Sequence, residues 1–90
     1  MAELVQIRIL RKPEVLTLTG FKKSTLYTRI NEGLMPPPIS LGGARAVGWI
    51  DHEIQTVLLA FCADKSPEEI KRLVTNLVAK RSELAKGEML

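Results

Sequence analysis

Apolar residues recur at helical spacing in the second half of the chain and in short, broken groups in the first. Val5, Ile7 and Ile9 alternate with polar or basic neighbours, which predicts a short strand within residues 1–10. Val15, Leu16 and Leu18 give an apolar side to a short helix opening at Pro13, where the missing N–H is harmless, and ending at Thr19-Gly20. A second helix is predicted from about Lys23 to Glu32, with Leu26 and Ile30 four apart on one face. Gly33 stands where a left-handed residue closes a helix. Pro36-Pro37-Pro38 excludes helix and favours extended chain. Ile39-Ser40-Leu41 and Ala46-Val47-Gly48-Trp49 flank Gly42-Gly43-Ala44-Arg45, and the three runs together read as a β-hairpin with Arg45 near its tip.

Trp49, the single tryptophan, falls where the hairpin meets the next helix and is assigned to the core. Asp51 can cap or complement the start of a helix running to about Asp64, in which Ile54, Val57, Leu58 and Phe61 form one inward stripe. Ser66-Pro67-Glu68-Glu69 is the sharpest local signal, an N-cap serine, a proline at the first turn and a glutamate completing a capping box. The helix it starts is predicted to reach about Lys86, before Gly87, a length of ~30 Å. Its apolar positions are Ile70, Leu73, Val74, Leu77, Val78 and Leu84, interrupted by Lys80 and Arg81. That stripe is too short for an autonomous coiled coil, yet longer than a small domain is expected to cover. The stripe has to be covered either by the small domain itself or by another subunit; the expectation is a homodimer interface of Ile70, Leu73, Leu77 and Leu84, with Lys80 and Arg81 at its solvated edge. The fold class expected is mainly α with a small β-hairpin, as a helix-turn-helix with a wing over residues 1–64 and an oligomerising C-terminal helix over 65–90.

Composition narrows the function. Ninety residues make one domain with at most one appended element. No apolar run approaches the ~18 residues of a membrane span, and no signal segment opens the chain, so a cytoplasmic protein without a membrane partner is expected. Cys62 is alone and has no intrachain disulfide partner; a small buried or half-buried side chain is expected there. His52 lacks neighbours at ligand spacing, and Gly42-Gly43 is not followed by the residues of a phosphate loop. One His, one Cys and no convergent carboxylate pair leave nothing from which to build a catalytic, metal or cofactor site. The net charge of +3 is uneven: residues 1–45 hold seven Lys/Arg against three Asp/Glu, and residues 46–90 six against seven.

The basic half contains the two-helix unit, where a phosphate-binding surface would need it. Opposite Leu26 and Ile30, the second helix carries Lys23, Ser24, Thr25, Tyr27, Thr28 and Arg29, a face of donors and cations suited to a DNA major groove. A plain helical hairpin with a solvated face is the alternative these residues leave open. Arg45 at a hairpin tip can reach a phosphate or a narrow minor groove, or simply stand in solvent.

The stretch from about Ile9 to Phe61 resembles the AlpA family of prophage regulatory proteins, related to excisionases and to the DNA-binding domain of MerR-type regulators. The resemblance is carried by Arg8-Ile9-Leu10-Arg11, Glu14-Val15, Gly20, Ser24-Thr25-Leu26-Tyr27, Gly33, the proline run, Val47-Gly48-Trp49-Ile50 and Glu53-Ile54. It implies a double-stranded DNA-binding transcriptional regulator or recombination directionality factor, working with a recombinase or RNA polymerase. It further implies that Lys23, Ser24, Thr25, Thr28 and Arg29 contact groove or phosphate. Lys22 and Arg45 would hold the backbone, and Tyr27 either touches phosphate or supports the helix. Two features depart from the family. Lys22 stands where a Ser or Thr cap is common, so either Ser24 caps later or the charge replaces the cap, and the capped tail helix is extra. Other readings are the DNA-recognition subunit of a phage packaging terminase, or a protein adaptor on the same scaffold that binds no DNA.

Overall fold

The computed structural model describes residues 7–84. Its elements are β1 (Ile9–Leu10), α1 (Lys12–Thr19), α2 (Lys23–Asn31), β2 (Ile39–Ser40), β3 (Val47–Ile50), α3 (Asp51–Cys62) and α4 (Pro67–Ala79). The architecture is a winged helix-turn-helix: four helices and a three-stranded antiparallel sheet in the order β1-β3-β2. Val5 of the expected first strand lies outside the described residues.

Local signals set the boundaries. Lys12 takes the first helical position of α1 and Pro13 the second, while the Glu14 carboxylate accepts from the Arg11 N–H at 2.9 Å. Gly20, at φ +74°, ends α1, and its N–H donates to the Leu16 carbonyl at 2.9 Å. Gly33, at φ +79°, closes α2 in a Schellman motif: its N–H reaches the Ile30 carbonyl and that of Leu34 reaches Arg29. α3 closes the same way with Asp64 at φ +59°, an unusual place for a residue with a Cβ. Asp51 lies in the first turn of α3 and complements its dipole, while the N-cap position belongs to Ile50.

The hairpin pairs Ile39 with Gly48 and Ser40 with Val47. β1 adds to the other edge of β3, Ile9 opposite Ile50 and Leu10 opposite Trp49. β3 is therefore central, and Gly48 sits where a Cβ would collide with the Ile9 side chain and approach the Leu10 carbonyl to 3.2 Å. The core is Leu10, Val15, Leu26, Met35, Trp49, Ile54 and Val57, joined by Ile70 and Val74 from α4. Trp49 is fully buried. Cys62 is exposed rather than buried or half-buried; it falls seven residues beyond Gln55, on the outward face of α3.

The tail departs most from expectation. α4 ends at Ala79, thirteen residues long, and a turn at Lys80 precedes a short helical stretch over 81–84; residues 85–90 lie outside the described residues. Ile70 (2 % exposed) and Val74 (6 %) are buried in this chain's own core, and Leu73, Leu77 and Val78 pack half-buried against it. Ile70 and Val74 are thus covered within one chain, and Ile70 is not open to a second copy, while Leu77 and Leu84 keep part of their surface exposed. Arg81 is corrected as well. It turns inward instead of lining a solvated edge, with Nε donating to Glu53 Oε2 at 2.9 Å and Nη2 to Glu53 Oε1 at 2.6 Å. Nη2 also donates to the Pro37 carbonyl at 2.8 Å. Glu53 is fully buried, a charge tolerable there only with such a partner.

Ser66→Ala is expected to cost about 1 kcal/mol in urea unfolding, because the Ser66 hydroxyl caps the Glu69 N–H at 3.2 Å. The return bond from the Ser66 N–H is the main reason the Glu69 carboxyl is held below its ordinary value, helped by the Ser66 hydroxyl, Lys65 and Arg72. Its stabilising contribution is therefore complete above the ordinary glutamate range and is lost as pH falls through the lowered value. A chain ending at Lys65 removes Ile70, Val74 and the partner of Glu53 together; thermal melting followed by circular dichroism is expected to lose its cooperative transition.

Candidate nucleic-acid interface

α1, the turn Gly20-Phe21-Lys22 and α2 form the helix-turn-helix. Leu26 is fully buried and anchors α2 from behind, with Ile30 half-buried beside it. Outward, Lys22, Lys23, Ser24 and Thr28 are exposed, and Thr25, Tyr27 and Arg29 are half-buried. The expected contact residues of α2 thus share one helix, and Lys22 immediately precedes it.

The beginning of α2 is unlike those of the other described helices. Glu14 lies in the first turn of α1, Asp51 and Glu53 in that of α3, and Glu68 and Glu69 in that of α4. The first turn of α2 has no acidic residue and is flanked by two lysines; like Arg11 at α1 and Ile50 at α3, its N-cap, Lys22, makes no side-chain capping bond. Ser24 does not cap later: the helix begins at Lys23 without a side-chain cap. First-turn amides have no intrahelical acceptors, and the helix dipole adds positive potential to Lys22 and Lys23. A missing cap costs about 1 kcal/mol, and cations at this end add an unfavourable ~0.3–1 kcal/mol. An anion placed there would relieve both.

Several side chains on this face already have partners. Thr28 Oγ1 donates to the Ser24 carbonyl at 2.9 Å. Arg29 Nη1 pairs with Glu32 Oε1 at 3.1 Å, an exposed i,i+3 contact of the kind worth ~0–1 kcal/mol. That spacing was available in the sequence and identifies Glu32 as a residue of the site that pattern reading passed over. Lys12 was not available in that way: its Nζ stands 5.0 Å from the centre of the Tyr27 ring, joining α1 to α2 across the turn. Tyr27 is therefore half-buried under a lysine.

The hairpin is the wing. Its tip, Leu41 to Arg45, is exposed, including Arg45. Gly42, at φ +99°, makes the turn, and the Leu41 N–H closes it on the Ala46 carbonyl at 2.7 Å. Among the described residues no group of three or more His, Cys, Asp or Glu is placed to hold a metal ion. No helix among them is long and apolar enough to cross a membrane.

The fold and this surface define a small winged helix-turn-helix regulator. The chain belongs to the family described as Prophage CP4-57 regulatory protein (AlpA), whose model matches residues 8–57. It is also similar to the uncharacterized protein ORF88 of Enterobacteria phage P4, at 43 % identity over 54 residues. The similarity covers 60 % of this chain and 60 % of that relative's length. No solved structure matches the chain. The matched stretch spans β1 through the first half of α3 and leaves out α4.

Lys12→Met keeps an apolar stem over Tyr27 and removes the charge. It is expected to lower stability by about 0.5–1 kcal/mol in urea unfolding and to move the Tyr27 ring resonances.

Proposed function

We propose that this prophage regulatory protein binds double-stranded DNA, with α2 in the major groove and the wing on the backbone or minor groove. The observation that carries the reading is the acid-free, lysine-flanked start of α2, in a chain whose other described helices begin with acidic residues. A helix start that forgoes local stability supports the reading, because a bound anion would restore it. Lys22, Lys23 and Arg45 are assigned to phosphates, which position the protein. Ser24, Thr25, Thr28 and Arg29 are assigned to base edges, which specify the site. Tyr27, under Lys12, is assigned to supporting the helix, and Arg29 exchanges Glu32 for DNA on binding.

The role is binding rather than catalysis, in keeping with a regulatory family. It is that of a transcriptional regulator or an excisionase-like directionality factor, working with RNA polymerase or a recombinase. Two copies would pair over the surface α4 leaves open, where Leu77 and Leu84 lie beside His52, Lys80 and Glu83. A two-fold pair would place the α2 helices on half-sites separated by multiples of about 34 Å. Light scattering at micromolar concentration tests the pairing.

Gel shifts on random duplex DNA at two salt concentrations test the function. Affinity is expected to fall steeply with salt, by about −0.9 in log K per log salt for each phosphate neutralised. Absence of binding at low salt would reject the reading and leave the adaptor. Arg29→Ala is expected to relax sequence preference, at roughly 1–3 kcal/mol on the selected site. Arg45→Ala is expected to weaken binding to all sequences alike; a changed preferred sequence would move Arg45 to the reading residues.

A further inference from the structure

The wing is short. Two residue pairs and the Leu41–Ala46 bond join its strands, and a hairpin of that size has little stability of its own. Its orientation on the helical body is set at its two roots. The exit root is well held: β3 pairs with β1, the Asp51 N–H donates to the Arg8 carbonyl at 2.8 Å, and α3 follows directly. The entry root is Pro36-Pro37-Pro38, which has no N–H to donate, so carbonyl groups are the backbone atoms available to tie it down. The Pro37 carbonyl accepts from Arg81 Nη2, and the same nitrogen donates to Glu53, three residues beyond the end of β3.

One guanidinium therefore grips both roots of the wing. Its planar, multi-donor head fits the geometry, since Nε and Nη2 meet the two Glu53 oxygens in a bidentate pair while Nη2 also reaches Pro37. Glu53 is fully buried and the Arg81 side chain is 20 % exposed, so water competes weakly for these bonds. Glu53 and Pro37 lie within the family-matched stretch, whereas Arg81 lies 24 residues beyond its end.

We propose that Arg81 is a positioning residue for DNA binding: through Glu53 and the Pro37 carbonyl it fixes the wing, and with it Arg45, against the helix-turn-helix. The inference rests on the DNA reading for its functional half, while its structural half can be tested without DNA.

Arg81→Ala alone would strand a buried carboxylate and risks unfolding the chain, so the informative variant is the full-length double replacement Glu53→Met with Arg81→Met. It fills the space with apolar side chains and leaves no unpaired charge, while the tether to Pro37 is gone. Amide hydrogen exchange is compared between β2–β3 and α3. The expected result is exchange in the wing faster by roughly ten-fold, the loss of one charge-assisted bond, with α3 unchanged. Affinity for duplex DNA is expected to fall, and adding Arg45→Ala to the double variant is expected to produce no further loss, because both act through the wing. Unchanged wing exchange would overturn the proposal, as would full affinity or losses that multiply with Arg45→Ala. If the unmodified protein fails to bind DNA, the DNA reading and this positioning role fall together, and the exchange data still show whether Arg81 fixes the wing.

Discussion

A carboxylate in the first turn of α3, fully enclosed, makes a demand that shapes the whole molecule. Glu53 favours the helix dipole there, yet an unpaired charge in the interior would cost several kcal/mol. The compensating cation comes from Arg81, beyond α4, so the chain after α3 has to return across the domain. The turn at Ala63–Lys65 and the capping box at Ser66 send α4 back in the required direction, and its apolar stripe then supplies Ile70 and Val74 to the core. Each buried aliphatic side chain contributes about 1.5–3 kcal/mol, a substantial share for a domain of this size. The ion pair contributes more to the path of the tail than to net stability.

The two ends of helices that matter most here are treated in opposite ways. α4 begins with reciprocal Ser66–Glu69 bonds and acids in its first turn, which is the stable solution. α2 begins with two lysines and no cap, which is the unstable one. The fold tolerates the second because Leu26 is buried behind it and the Schellman motif at Gly33 closes its other end. The core and α4 supply the stability that the outward end of α2 gives up. The wing shows the same division. Its tip is exposed and held locally, while its base is tied to the body through prolines, β1 and Arg81.

Local structure was legible from the residues because its causes act within a few positions along the chain. Gly20 and Gly33 mark helix ends by their left-handed backbone, Ser66 and Glu69 mark a helix start, and three prolines force the extended passage into the wing. The spacing of Leu26 and Ile30 assigned the buried side of α2, and so the outward set from Lys23 to Arg29. Cys62 was not legible in this way: its small apolar side chain suggested burial, and the fold leaves it exposed. What the tertiary structure alone decided lies between residues far apart. Arg81 reads as a charge at a solvated edge, and no local pattern marks Glu53 as buried, until the fold brings the two together. The same holds for Lys12 over Tyr27, for β1 on the far edge of β3, and for the burial of Ile70 and Val74 in this chain's own core. Periodicity reports that a face is apolar and must be covered, but which surface covers it depends on the direction in which the preceding turn aims the helix.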